Sequence, residues 1–256
     1  GMFVFSIQDT LIKLMSDSIN IYIIYIVRSI VGILVIFTYC WIYKIKIIFK
    51  TYYPFISMFR VFIFFLGFSL YYFSLSKISL TVAVTLFFAS PFFVTIFSKF
   101  IIGERVGIYR WSSIIIGFLG VYLVLDPNFK DFNIYSLFPI ICAFFYAFTV
   151  VIQKKTSDKD SLFTQIIHTY ISAIIFSFII FVIVHNLTFS QYQLSEYNFI
   201  LMSWNIPNYS SFLILLVIGF TGVIGFFSLF GAYRIGSPST IAPYEYSLIF
   251  WSILLG

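Results

Sequence analysis

The chain has 256 residues, of which 61% are hydrophobic and 9% charged, and its mean hydropathy is +1.05. A soluble domain carries about 25% charged residues, so no aqueous core could hide this much apolar surface and the bilayer must be the solvent. The formal net charge of +6 then speaks to orientation in a membrane and not to nucleic acid, which is not an expected partner, because the basic residues fall at the ends of apolar runs.

A membrane helix needs about 20 mostly apolar residues. In chain order the runs predict spans over 1–16, 19–43, 55–76, 80–102, 108–126, 133–153, 161–185, 210–233 and 238–256. The chain is thus expected to be an all-α polytopic membrane protein with about nine helices present. The runs are continuous and do not alternate, which disfavours an outer-membrane barrel. The first run holds Asp9 and Lys13 and leads into another span, so it does not read as a cleaved signal peptide. Most connections are short. The exception is 186–208, "NLTFSQYQLSEYNFILMSWNIPN", which is polar with interspersed aromatics and reads as an interfacial segment or a structural lid.

The basic residues fall unevenly. Lys44, Lys46, Lys50 and Arg60 lie between or beside spans 2 and 3. Lys99, Arg105 and Arg110 flank the next turn on that side, Lys154, Lys155 and Lys159 the one after, and Arg234 the last. The opposite side has Lys77 and Lys130, an asymmetry of 11 against 2. The positive-inside rule puts the crowded side, and with it the N-terminus, in the cytoplasm. A bacterial cytoplasmic membrane is the expected location.

An internal repeat runs under this pattern. Residues 6–18, "SIQDTLIKLMSDS", align with 147–159, "AFTVVIQKKTSDK", so that Lys13 meets Lys154, Ser16 meets Ser157 and Asp17 meets Asp158. Residues 76–100 align with 233–256, so that Lys77 meets Arg234 and Ile78 meets Ile235. Each copy would hold five spans. Five is odd, so the second copy enters the membrane from the opposite face, as in the inverted repeats of secondary transporters. The expected division is 1–126 (helices 1–5) and 133–256 (helices 6–9). The register sets Gly256 against Lys99, so the end of span 9 and a tenth span are expected to be missing.

Two stretches carry a family resemblance. "LFFASPFFVTIFSKFIIGERVGIYRWSSIIIGFLGVYLVLDP" (86–127) has a Pro in helix 4, a Gly-Glu at the turn and a Gly-rich helix 5. "APYEYSLIFWSILLG" (242–256) has an Ala-Pro-aromatic-Glu-Tyr run. Together with "DTLIKLMSD" and Arg28, these resemble the ten-helix EamA-type branch of the drug/metabolite transporter superfamily. Within it, "IQDTLIKLMSD" and "GIYRWSSIIIGFLGVYLVLDP" are similar to bacterial members that take up S-adenosylmethionine, while others export amino acids. The resemblance implies a secondary transporter of a small metabolite.

The ionisable residues inside spans are the candidate site. A charge near the bilayer centre costs about 2.5–3.5 kcal/mol on insertion scales. Glu245, with Pro243 before it to loosen the helix, reads as a cavity acid for a cation or a proton, or as a buried acid bonded to a neighbouring helix. Asp9 and Lys13 are spaced i, i+4 with acid before base, so they form a structural ion pair or face the cavity together. Arg28 would offer its planar fork to a substrate carboxylate. His168, with Gln165 one turn before it, is a proton relay or a merely bonded side chain. Phe88, Tyr146, Tyr170 and Tyr244 are stacking surfaces for a sulfonium or ammonium group, or packing and lipid contacts. Gly103-Glu104 reads as a turn, and Gly117 and Gly120 as close-packing positions. Cys40 and Cys142 read as packed thiols, and His185 as interfacial. Two histidines without ligand-spaced partners suggest no metal, and no cofactor is expected.

The reading is a secondary transporter working by alternating access, driven by a proton or by exchange, since no nucleotide-binding motif is present. Membrane lipid and a second copy of the chain are the other candidate partners. An enzyme would want an HxxxxD, GxSxG or HExxH run, which this sequence lacks. A non-transporting scaffold would have no use for ionisable residues inside its spans.

Overall fold

Short polar turns begin the helices. Each supplies a side-chain acceptor for backbone N–H groups that have no partner in a first turn. Asn20 accepts from the Tyr22 N–H, Ser79 from Val82, Ser161 from Thr164 and Asn208 from Ser211. The computed structural model describes residues 1–125, 133–187, 197–201 and 207–255. Within them the elements are α1 (Met2–Met15), α2 (Ile21–Ile42), α3 (Pro54–Leu75), α4 (Leu80–Phe87), α5 (Ser90–Phe97), a π-helical turn (Ser98–Ile102), α6 (Ile108–Leu125), a 3-10 turn (Ile134–Ser136), α7 (Leu137–Thr156), α8 (Leu162–His185), α9 (Asn198–Leu201), α10 (Tyr209–Ile235), α11 (Pro238–Ile241), a second 3-10 turn (Ala242–Tyr246) and α12 (Ser247–Leu255). The described residues contain no strand. All nine expected spans are helical, and six are long and apolar enough to cross a membrane.

Two spans are broken, and proline is the physical reason both times. The fourth span stops at Phe87 and restarts at Ser90, with Pro91 in the first turn of α5. The ninth stops at Ile241, tightens into a 3-10 turn around Pro243, and resumes at Ser247. The π-helical turn after α5 ends at Gly103, whose φ of 84° is left-handed and suits glycine; the turn expected at Gly103-Glu104 is there.

The helices pack α3 on α7, α2 on α8 and α10, and α1 on α10 and α12. Small residues allow the close approaches. A Cβ at Gly32 on α2 would lie 2.6 Å from the Tyr170 ring on α8, and one at Gly219 on α10 would lie 2.6 Å from Val31. Gly117 meets Tyr246 as a packing position should, whereas among the described residues nothing lies within 4 Å of a Cβ at Gly120. Large apolar side chains such as Trp41, Phe55 and Ile235 stand exposed on the outer surface, which suits a lipid-facing wall.

The basic residues expected on one side do gather at one end. There Lys154 donates to the Arg234 carbonyl, Lys155 to that of Ile101, and Arg234 to that of Asp160. Arg60 is the correction. It is not beside the span but inside α3, 1% exposed. Lys130 lies outside the described residues, as do 188–196 and 202–206 of the long connection. Its described part, α9, docks through buried Phe199, and Asn20 donates to the Ile200 carbonyl.

Candidate functional site

A cavity opens between α1, α2, α3, α7, α8 and α10, at the level where the fourth and ninth spans break. Asp9, Arg28, Phe88, Tyr146, Tyr170 and Glu245 all line it. It has about 60 Å³ of room for the centres of water molecules. One water needs about 10–15 Å³ on that measure, so this conformation admits a few waters, and a metabolite would need the helices to part.

Three charged side chains reach the cavity, and tyrosine hydroxyls hold each of them. Asp9 on α1, 6% exposed, accepts from the Tyr71 hydroxyl at 2.9 Å. Arg28 on α2, 5% exposed, donates to the Tyr72 hydroxyl at 3.0 Å, and Gln8 donates to the same oxygen at 2.9 Å. The Arg28 guanidinium also lies 5.0 Å from the centre of the Phe226 ring, a cation–π contact. Glu245, 3% exposed, sits in the 3-10 turn of the ninth span, and its Oε1 accepts from Tyr146 at 2.6 Å and from Tyr233. The tightened backbone around Pro243 is what aims this side chain inward.

None of these charges is ion-paired with another. Among the described residues the salt bridge is Arg110–Glu104, at 3.9 Å and far from the cavity. Two of the three keep open valences instead. Among the described residues Glu245 Oε2 and Arg28 Nε are buried without a partner, as is Gln8 Oε1. Gly222 leaves the space beside them, since a Cβ there would come 2.9 Å from Arg28 Nε and 3.2 Å from Gln8 Oε1. Unsatisfied buried groups are expensive, and here they converge on one space.

Other expected residues lie elsewhere. Asp9 and Lys13 do not pair. Lys13 instead donates to the carbonyls of Leu75 at 2.8 Å and Ile78 at 2.9 Å, capping the end of α3. Those carbonyls have no helical partner, and they draw the ammonium away from the cavity. His168 Nε2 lies 2.7 Å from the Phe49 carbonyl oxygen, toward the basic end, and does not line the cavity. Tyr244 points outward, 73% exposed. Cys40 and Cys142 are buried free thiols, as expected, whereas the side chain of His185 lies outside the described residues. Sequence reasoning missed Tyr71, Tyr72, Tyr233 and Gln8. In a chain with 19 tyrosines, nothing local marks those that meet a charge.

Residues 1–126 match the model of the EamA-like transporter family. These residues are an EamA-family domain, of the drug/metabolite transporter superfamily. This EamA-type chain is 27% identical over 241 residues to an S-adenosylmethionine uptake transporter of Rickettsia prowazekii, covering 94% of this chain and 75% of that protein. It is 27% identical over 199 residues to a riboflavin transporter of Vibrio cholerae, covering 77% and 60%. An S-adenosylmethionine uptake transporter of Rickettsia conorii is 28% identical over 205 residues, covering 80% and 63%. The chain thus spans less than two thirds of the length of the last two. A crystal structure at 14% identity superposes with a TM-score of 0.69, over 99% of this chain and 85% of its own, and shows the shared fold. The EamA-type fold makes this a multi-pass membrane protein, and the relatives named above are transporters.

Proposed function

We propose that the EamA-type chain moves a small metabolite bearing both a carboxylate and a cationic centre, of the amino-acid or S-adenosylmethionine kind. The carrying observation is that Asp9, Arg28 and Glu245 face one buried cavity with no ion pair among them. Had they served the fold alone, pairing would have offset their burial best. Held by phenol hydroxyls, they keep Arg28 Nε and Glu245 Oε2 open for a ligand. Arg28 takes the carboxylate, because its fork matches that group. Asp9 and Glu245 take the cation or a coupling proton. Phe64, Phe88 and Tyr170 offer faces to an ammonium or sulfonium group.

Transport proceeds by alternating access between two inverted repeats, 1–126 and 133–256. The aligned lysines, which make the same kind of contact at opposite ends, support this division. The gathering of basic residues at one end supports a cytoplasmic N-terminus. A second reading, a flat neutral ring stacked in the cavity, draws on its aromatic lining.

The test is tracer uptake into proteoliposomes, with S-adenosylmethionine and riboflavin run in parallel and a pH gradient imposed or absent. The expected result is saturable S-adenosylmethionine uptake that falls at least about tenfold in Glu245→Gln, a loss of about 1.4 kcal/mol. Saturable riboflavin uptake alone would replace this reading with the second. No uptake of either would sink both substrate assignments.

A further inference from the structure

One turn from the cavity, toward the basic end, three helices bury polar groups that the transport site does not use. On α3, Arg60 comes just before the cavity residues Val61 and Phe64. On α7, Thr149 and Gln153 follow the cavity residue Tyr146. On α8, Gln165 comes one turn before the cavity residue Thr169. All four are at least nine-tenths buried. Arg60 donates one N–H to the Gln165 carbonyl at 3.2 Å, and Gln153 donates to the Gln165 side-chain oxygen at 3.3 Å. Yet Arg60 NH1, Thr149 Oγ1 and Gln153 Oε1 have no partner among the described residues. Asp160, buried at the same end, is near enough for its charge to favour that of Arg60 but forms no ion pair with it; it accepts from Thr51 and from the Tyr52 N–H.

An unpaired guanidinium in an apolar interior costs several kcal/mol unless water or an anion meets it. Two orphan acceptors on α7, the helix packed against α3, give water the polar partners it needs. We infer that the junction of α3, α7 and α8 is a hydrated passage joining the cavity to the basic face, with Arg60 as the station that selects for a ligand's carboxylate or phosphate group. Arg28 and Arg60 then form two successive anion stations, one in the cavity and one below it. Arg60 holds the anion briefly, because only its NH1 edge is open and no second cation assists. A passage needs this weak hold, and a storage site would need a stronger one. The inference extends the transport reading, but its test does not require transport.

In a Cys40→Ala, Cys142→Ala background, Thr149→Cys and Gln153→Cys are reconstituted in vesicles and exposed from the basic face to methanethiosulfonate reagents of equal size and opposite charge. Both cysteines are expected to react, the anionic reagent several-fold faster than the cationic one relative to free cysteine. Arg60→Gln should erase that preference and Arg60→Lys should keep it. Two cysteine positions guard against the loss of one variant to misfolding, and the charge preference with Arg60 in place is informative by itself. No labelling at either position would mean a sealed water pocket and overturn the passage. Labelling without a charge preference, or a preference that survives Arg60→Gln, would overturn the role of Arg60.

Discussion

Lys13 and Lys154 do the same work at opposite ends of the helix bundle. Lys13 ends α1 and donates to the Leu75 and Ile78 carbonyls where α3 stops. Lys154 ends α7 and donates to the Arg234 carbonyl where α10 stops. The serine three residues on bonds back to the lysine carbonyl at 2.7 Å both times, through Ser16 and Ser157. The span that follows each clasp breaks beside a proline. At the break, however, one half presents Phe88 and the other Glu245. The Asp9 of the first half has Val150 opposite it in the aligned second half. Backbone architecture is matched between the halves while the chemistry is not. On the proposed alternating-access reading, a frame with matched clasps moves around a cavity that is chemically polarised.

The largest expected effect concerns the seam where the halves meet. Gly32→Ala drives a Cβ against the Tyr170 ring, which cannot retreat in a packed interior, and should destabilise the protein by about 1–3 kcal/mol. Gly120→Ala, into open space, should be neutral or slightly stabilising. Thermal unfolding in detergent checks the pair, and equal effects would mean the seam is not close-packed. Next comes the chemical asymmetry. Phe88→Leu should lower uptake by less than about threefold, or ~0.7 kcal/mol, beside the tenfold loss at Glu245. A larger loss at Phe88 would move the cation's contact to the aromatic ring. In stability, Lys13→Met and Lys154→Met should each cost about 1 kcal/mol for carbonyls left without a donor. Lys13 should cost more, having two carbonyls to satisfy. Calorimetry that finds only one of them matters would break the correspondence between the ends. Tyr244→Ala, outward-facing, should leave uptake unchanged, and a loss there would place the outer surface in the transport path.

Much of the frame was legible locally. The bilayer demands a fixed length of apolar chain, so span positions followed from hydropathy. Pro243 announced one break, since a missing N–H is a local fact, whereas the fourth span was expected to run unbroken through Pro91. Glu245, Asp9 and Arg28 stood out because charge in lipid is costly wherever it occurs. Arg60 was misplaced because a basic residue near a span end looks the same whether it faces water or the interior. Lys13 was misread for a related reason: i, i+4 spacing shows that two groups can meet, not that a pair of free carbonyls on another helix will outbid the acid.

The sequence by itself determined that the chain crosses a membrane, where its helices run, where the ninth span breaks and that Asp9, Arg28 and Glu245 lie at depth, because each of these is fixed within a few residues of backbone. Only the tertiary structure decided that Tyr71, Tyr72, Tyr146 and Tyr233 hold those charges, that Lys13 leaves the cavity, and that Arg60 is buried one turn below it. In a helix apolar on every side the pattern does not say which face meets which neighbour, and the partner of a buried charge is a property of the packed bundle.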